Sequence, residues 1–382
     1  MSNKNLAILG IVTVLMVIWA VIQSRVSSMP RSGPEALSYL IPGLDTTDIG
    51  SIVLGTGKDA VTMNRRGRQF VIANKDNYPA SMSEISELIT SCLDIKIAEL
   101  YTDEAAYHED LGVTEEKADS VIKFLTPEPN STILAGIVVG NAKELGEGTY
   151  VRLISSDKAS SDKVYVASNM PRIKNQAMDY IEQELISVNR DDINSVTVSF
   201  PGGDYTLKPK DDSKDIVLVN IPAGKKAKSS ECDRVFAALA NLRFDDVRET
   251  SSGLTFDRRY VCKLNDSTVY TLEIAKKDDK TYVSCLAEFT GEVPKKDMTK
   301  VESEEVLKEK EAKLLAWDKA QEFSAKHKGW KYEIAEWKAK DLTKELSELV
   351  EDQKKPEEVK VPQEPNSVSE NQPVEPNSVQ EK

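Results

Sequence analysis

Histidine and cysteine are scarce in this chain of 382 residues, which contains two of the first and four of the second. Basic residues are in deficit, because 63 aspartates and glutamates outweigh 50 lysines and arginines and give a formal net charge of −13. This balance excludes the basic footprint of a nucleic-acid-binding protein. There is also no Gly-x-x-x-x-Gly-Lys-Ser/Thr phosphate loop, no Gly-x-Ser-x-Gly nucleophile elbow and no Cys-x-x-Cys pair. The sequence therefore predicts no catalytic, cofactor-binding or metal-binding residues, and no cofactor.

The polar side chains that could carry chemistry have simpler structural interpretations. His108 and His327 lie in polar stretches, and we expect both to be solvated. Adjacent carboxylates could serve acid–base or Ca²⁺ chemistry, but they fall where turns or helix ends are predicted, and Asp is common there for backbone reasons. These pairs are Asp211-Asp212, Asp245-Asp246 and Asp278-Asp279.

The sequence disfavours a disulfide among the four cysteines, although an oxidising compartment would permit one. Cys92 and Cys232 fall on the apolar stripes of two predicted helices, where a thiol packs as a small hydrophobe. Cys262 and Cys285 fall in strands that a third strand should separate by roughly 10 Å, which is too far for a disulfide.

The amino terminus carries a long apolar run. Asn5 to Ser24 contains no charge over 20 residues, enough for a helix that spans the hydrocarbon core of a bilayer. A cleaved signal peptide is the main alternative, although its apolar region is usually shorter, and a buried core helix is the third. We expect an uncleaved anchor in the bacterial inner membrane, single-pass, with the bulk of the chain outside the cytoplasm. The anchor residues are Leu6, Ile11, Leu15, Trp19 and Ile22.

The middle of the chain contains an internal repeat. Asp48-Ile49-Gly50-Ser51-Ile52-Val53-Leu54 resembles Asp192-Ile193-Asn194-Ser195-Val196-Thr197-Val198, at an offset of 144 residues. Each copy continues with two more strands, a helix, a Gly-containing turn and a meander of strands rich in Val, Ile, Tyr and Thr. In the first copy the predicted strands include Ser120–Leu125 and Thr149–Ile154. The connections are too short for parallel crossovers, so antiparallel sheets are expected.

Each copy is predicted to have one helix. In the first, Ser81 and Glu84 have the spacing of a capping box, and Ile85, Leu88, Ile89 and Cys92 form an apolar stripe. In the second, Ser229 and Ser230 are candidate caps, and the stripe consists of Cys232, Val235, Phe236 and Leu239.

The carboxyl-terminal part is predicted to close the second repeat. A helix over Ser303–Ala325 has a modest stripe, a strand follows over Gly329–Ile334, and a last helix covers Asp341–Leu349. We expect this closure to bury Trp330 and Trp337, in preference to an exposed hairpin that binds a partner. The stripe of the first helix consists of Ala312, Leu315, Ala316, Ala320 and Phe323.

The predicted fold class is α+β. An N-terminal transmembrane helix precedes two tandem repeats of antiparallel strands packed on a helix, and helices with a strand close the C-terminal end. The predicted domains are an anchor at 1–28, a linker at 29–43, repeats at 44–187 and 188–350, and a disordered Pro/Glu/Asn/Ser tail at 351–382, which has little apolar surface to bury.

This order of elements resembles the domain of unknown function 4340 family of membrane-anchored bacterial proteins. The resemblance extends over about residues 44–350 and includes Thr149-Tyr150-Val151-Arg152-Leu153 and Gly329-Trp330-Lys331-Tyr332-Glu333-Ile334. It implies an accessory protein, often encoded beside ABC transporters of the gliding-motility type, and it implies no catalytic residues. The polar Tyr107–Glu116 connection and the tail depart from the commoner pattern.

Two functions are consistent with these observations. The first is a non-enzymatic, membrane-anchored extracytoplasmic scaffold or accessory subunit of an envelope complex. Its partners would be the bilayer, through residues 5–24, and a membrane protein such as ABC-transporter subunits. The alternative is an envelope hydrolase or ligand-binding module that uses acidic residues in the cleft between the repeats.

Overall fold

The computed structural model describes residues 38–155, 158–210, 213, 215–294 and 303–353. Its first sheet has ten strands in the order β1-β6-β10-β9-β8-β7-β2-β3-β4-β5, and all neighbours are antiparallel. The strands are β1 Ser38–Tyr39, β2 Ser51–Leu54, β3 Val61–Arg66, β4 Gln69–Ile72, β5 Tyr78–Pro79, β6 Lys96–Thr102, β7 Ser120–Leu125, β8 Ile133–Ala142, β9 Thr149–Ile154 and β10 Val164–Ala167.

The second sheet has eight strands in the order β14-β13-β12-β18-β19-β20-β21-β17, again antiparallel, and two small ladders join β11 to β16 and β15 to β22. The strands are β11 Glu184–Ile186, β12 Ile193–Phe200, β13 Gly203–Pro209, β14 Ile216–Val219, β15 Lys225–Ala227, β16 Leu242–Arg243, β17 Asp246–Arg248, β18 Phe256–Leu264, β19 Thr268–Lys277, β20 Lys280–Phe289, β21 Lys331–Ile334 and β22 Val350–Asp352.

The helices are few beside the strands. Short 3₁₀ turns precede β2 and β12 at equivalent places, Thr46–Asp48 and Arg190–Asp192. The α-helices are α1 Met82–Leu93, α2 Lys158–Ser161, α3 Ser229–Phe236, α4 Glu304–His327, α5 Glu336–Thr343 and α6 Leu346–Leu349.

The two sheets repeat one strand order. Eight neighbouring strands of the first sheet have counterparts in the second sheet. The order β4-β3-β2-β7-β8-β9-β10-β6 corresponds to β14-β13-β12-β18-β19-β20-β21-β17. A helix follows the third strand of each run, and another lies between the last two strands of each meander. The prediction of an α+β fold with antiparallel sheets is therefore confirmed.

The helix stripes pack in one core that extends through both halves. Ile85 and Cys92 of α1 are buried, and so are Cys232 and Phe236 of α3. Leu239 is buried as predicted but lies beyond the end of α3, so it belongs to the turn that follows.

Ser81 is the N-cap of α1, as predicted, but the predicted capping box does not form, and the predicted caps of α3 are wrong. The Ser81 hydroxyl lies 2.8 Å from the Ser83 hydroxyl and caps no backbone N–H, while the Glu84 carboxylate pairs with Lys174. The N-cap of α3 is Lys228, so that the two serines expected there open the helix instead. At α1, Ser83 and Lys174 engage the two predicted capping side chains and so compete with the backbone N–H groups.

Both ends of the folded part reach further than predicted. Ser38–Tyr39 forms β1 within the expected linker, and Leu40 and Ile41 beside it are buried. At the other end β22 pairs Glu351 and Asp352 of the expected tail with β15. Backbone pairing at sheet edges needs no apolar pattern, which explains why composition misplaced both bounds.

The Tyr107–Glu116 connection covers the outer face of the first sheet. Val113 packs there in a second small hydrophobic cluster with Val121, Val138 and Val164. The guanidinium Nε of Arg152 donates to the Val113 carbonyl at 2.8 Å. The connection is thus part of the packed structure rather than a solvated loop.

Candidate docking surface

The predicted anchor residues Leu6, Ile11, Leu15, Trp19 and Ile22 lie outside the described residues. Among the described helices none is both long and apolar enough to cross a membrane. In the same part of the chain no group of three or more His, Cys, Asp or Glu side chains could hold a metal ion.

Neither histidine is solvated, and both expectations are wrong. His108 is 9% exposed and its Nε2 lies 2.9 Å from the Asp162 carbonyl. His327 is 3% exposed at the end of α4. Burial lowers the pKa of His327 to about 4, with the charge of Lys326 adding to the effect, so the ring is neutral near pH 7. Its Nδ1 then accepts the Tyr332 hydroxyl at 2.6 Å.

These aromatic residues form the seam between the two halves. Tyr78 of the first half lies with its ring centroid 4.8 Å from that of Trp330 and 6.2 Å from that of Tyr332. Phe244 packs against Tyr332 at 4.8 Å. Burial raises the pKa of both tyrosines, so their hydroxyls remain protonated hydrogen-bonding groups. The seam is a packed interface that extends the core.

The expected carboxylate pairs serve local structure. Asp246 binds the Lys75 ammonium at 2.5 Å across the seam and accepts from the Val247 N–H. Asp278 and Asp279 both have positive φ, 51° and 61°, and make the turn between β19 and β20. Asp211 and Asp212 lie outside the described residues.

The cysteines are all buried and free. Cys262 on β18 and Cys285 on β20 flank β19, which is the predicted separation. Burial raises the pKa of Cys92, Cys262 and Cys285 to about 12, and it also raises that of Cys232. Thiols in this state are poor nucleophiles.

Helix α4 is the largest difference between the halves. It has 24 residues, whereas its counterpart α2 has four. Of the predicted stripe, Ala316 and Ala320 are buried and Phe323 is half-buried, but Ala312 and Leu315 are exposed. Only the second half of α4 packs on the sheet, and its first half projects beyond it.

A serine joins each of these helices to the strand before it. The Ser324 hydroxyl accepts from the Ala287 N–H at 2.8 Å and donates to the Ala287 carbonyl at 2.5 Å. In the first half the Ser161 hydroxyl makes the same two bonds with Ser155, both at 3.0 Å. We call this arrangement the serine bridge. In the first half, β9 ends before its serine bridge. In the second half, β20 continues past its serine bridge to Phe289.

A groove of about 510 Å³ opens where β20 passes the serine bridge. One wall is the strand end, and the other is the face of α4. We call it the α4 groove, and its lining residues are Leu286, Ala287, Glu288, Phe289, Thr290, Trp317, Ala320, Gln321 and Ser324.

The projecting half of α4 prolongs the groove as an apolar stripe. Val306, Leu307 and Leu314 are 41%, 53% and 39% exposed. At about 100° per residue they fall on the same side of the helix as Trp317. Exposed apolar side chains on one side of a helix mark interaction sites, and Lys310 lies between Leu307 and Leu314 on this side. The sequence signal was present, since Leu307 and Leu314 are seven residues apart, but the stripe was assigned to the other side of the helix.

The carboxyl-terminal closure also differs from its prediction. Trp330 is half-buried and packs against the core, but Trp337 is 65% exposed on α5, with the Lys338 ammonium 5.0 Å from its ring centroid. The expected last helix is divided into α5 and α6, because Glu345 and Glu348 form a capping box that starts a new helix.

Fold and groove together define an antiparallel α+β protein with two sheets of like order and a long helix that borders a groove and carries an exposed apolar stripe. Residues 71–257 match the profile of the family described as Domain of unknown function (DUF4340). Over these residues the chain belongs to this family, which confirms the resemblance. No curated protein and no solved structure matches the chain.

Proposed function

We propose that this chain is a non-enzymatic, membrane-anchored module outside the cytoplasm that acts as a scaffold or accessory subunit of an envelope complex. The observation that carries the proposal is the exposed apolar stripe on α4. This helix has 24 residues, whereas its counterpart α2 in the first half has four. Surface of this kind is costly in water unless a partner covers it.

The membrane part of the proposal comes from the sequence. The uncharged run of residues 5–24 suits a single transmembrane helix in the bacterial inner membrane, which would be followed by the two tandem repeats. Tethering confines the module beside membrane proteins at high effective concentration. ABC-transporter subunits of the gliding-motility type are the partner class that family resemblance implies.

The alternative of a ligand cleft between the repeats gains no support from the seam. Tyr78, Phe244, Trp330 and Tyr332 fill it with aromatic contacts, and Asp246 is already paired with Lys75. The carboxylate of Asp246 is therefore already engaged at this described position.

Complementation of a deletion strain tests the proposal. Leu307→Glu combined with Leu314→Glu places charges on the stripe and should abolish function, while the free energy of unfolding changes by no more than about 0.5 kcal/mol, because both side chains are exposed. The control is Lys308→Glu combined with Lys319→Glu, because both positions lie on the other side of α4. This control variant should complement. Full function of the stripe variant would contradict a docking role.

A further inference from the structure

In the part of the chain that the structure describes, no strand pairs with the edge of β20 beyond the serine bridge. Among the described residues, β21 covers this edge only from Thr281 to Val283, and Ser324 then satisfies Ala287. Backbone groups of alternate residues in a strand point to the same side. The Thr290 N–H donates to Ser267 on the β19 side, so the N–H and C=O of Phe289, like those of Ala287, face outward. The groups of Ala287 are engaged by Ser324, so Phe289 supplies the outward N–H and C=O that face the α4 groove.

The other wall supplies apolar contact. Trp317 and Ala320 line the groove, and the exposed stripe of Val306, Leu307 and Leu314 continues it along α4. A strand edge beside a helix is the geometry in which an extended peptide adds as one more strand, held by main-chain hydrogen bonds and by pockets for alternate side chains.

The charge at the strand side is acidic. Glu288 lines the groove and Glu292 lies just beyond its end, both are exposed, and neither has an ion-pair partner among the described residues. The chain as a whole carries −13. An arriving segment with lysine or arginine would therefore be attracted and oriented.

We propose that the α4 groove binds an extended peptide segment of a partner, antiparallel to β20, with apolar side chains at alternate positions against Trp317 and with basic residues beside Glu288 and Glu292. This rests on the proposed function for the claim that a partner covers α4, and it adds the form and charge of the bound segment.

The test uses the purified full-length chain in detergent and a phage-displayed library of random linear peptides. We expect enriched peptides to have alternating apolar residues flanked by Lys or Arg. Gln321→Trp fills the groove from an exposed position and should weaken the best peptide by about tenfold or more, as judged by fluorescence anisotropy. Lys319→Trp adds the same bulk about 200° away around α4 and should leave the affinity unchanged.

Charge reversal tests the acidic side. Glu288→Lys with Glu292→Lys should weaken the basic peptides by about tenfold at low salt and less at high salt. The inference is overturned if no peptide is enriched, if Gln321→Trp binds as well as wild type, or if enriched peptides have the i, i+3, i+4 spacing of a helix. Binding here needs neither a membrane nor a transporter. If peptide binding fails while the stripe variant still does not complement, the proposed function stands. If peptides bind as expected while the stripe variant complements, only the proposed function is removed.

Discussion

At the scale of single residues, His327 shows how a polar side chain becomes part of a core. It lies four residues after Phe323 and seven after Ala320, in line with the buried side of α4, and its ring packs 4.3 Å from Phe323. The neighbouring Lys326 and Lys328 made this region resemble a charged turn, and the helix was predicted to end at Ala325. Continuing the helix by two residues would have placed His327 on the buried stripe. His108 has no such periodic signal.

The depressed pKa of His327 makes stability depend on pH. The folded state holds the pKa at about 4, below the unfolded value of about 6.5, so the unfolded chain takes up the proton first. The stabilisation from the neutral ring is complete above about pH 6.5 and is lost as the pH falls. At about pH 4 the loss of stability amounts to about 3 kcal/mol. Urea unfolding from pH 7 down to about pH 4 should show this loss in wild type relative to His327→Asn, which cannot titrate. Parallel curves for the two proteins would refute it.

Leu239 is fully buried although it stands outside a helix. Leu239→Ala should lower the free energy of unfolding by about 2–5 kcal/mol, because it leaves a cavity in the core. Leu307→Ala, at a side chain that is 53% exposed, is the matched control and should cost less than about 0.5 kcal/mol. Equal effects of the two substitutions would mean that Leu239 is not a core residue.

At the scale of elements, the sequence identified the strands better than it identified what satisfies their ends. The predicted strands over Ser120–Leu125 and Thr149–Ile154 agree with β7 and β9 to the residue. Alternation and turn residues supply that signal locally. Strand β6 and the two short β16 and β17 escaped notice, since β6 is largely exposed and the other two are brief. The serine bridge and the α4 groove could not be predicted, because each depends on which helix meets which strand.

The serine bridge should contribute measurably to stability. Ser324→Ala removes the partner of both the N–H and the C=O of Ala287 and should cost about 1–3 kcal/mol. Gln321→Ala, one turn earlier on the same helix and exposed, should cost less than about 0.5 kcal/mol. Chemical denaturation of the three proteins measures both values. A Ser324→Ala protein as stable as wild type would show that water replaces the hydroxyl without loss.

At the scale of the whole molecule, the two halves share a core and meet at the aromatic seam, which also contains polar contacts. The Lys75 ammonium reaches Asp246, the Asp76 carboxylate accepts from the Glu249 N–H at 3.0 Å, and Tyr78 lies among aromatic residues of the second half. The internal repeat was visible in the sequence as matching strands, but the seam was not. Its residues have no shared motif, and they meet only because the two sheets pack together.

The continuous core predicts that the halves unfold together. Far-ultraviolet circular dichroism follows both sheets. In a chain without residues 1–25, which lacks Trp19, tryptophan emission follows the second half, where Trp317, Trp330 and Trp337 lie. The two urea transitions should coincide, as two-state unfolding requires. Tyr78→Ala should shift both midpoints together, because it removes a seam contact from each half. Two separated transitions in this shortened chain would show that the halves are independent domains.

Removal of the amino-terminal run tests the predicted tether. A chain without residues 1–25 should fold, since every residue of the described core lies after Ser38, but it should fail to complement a deletion strain. Replacing the run with an unrelated transmembrane helix of the same orientation should restore function. In intact spheroplasts added protease should digest the wild-type body and leave a small membrane fragment. A protected body would place it on the other side of the membrane.

Because of the serine bridge, the strand order of each sheet does not depend on the length of the helix that is attached to it. Behind one bridge lies a helix of four residues and behind the other a helix of 24, and yet both sheets keep the same strand order. The part of the Lys158–Ser161 connection before Ser161, the residue that makes the bridge, is therefore a natural position for a grafted cargo, such as a fluorescent protein on flexible spacers. A reporter at this position would leave both ends of the chain and the α4 groove untouched, and it would allow the protein to be followed in living cells.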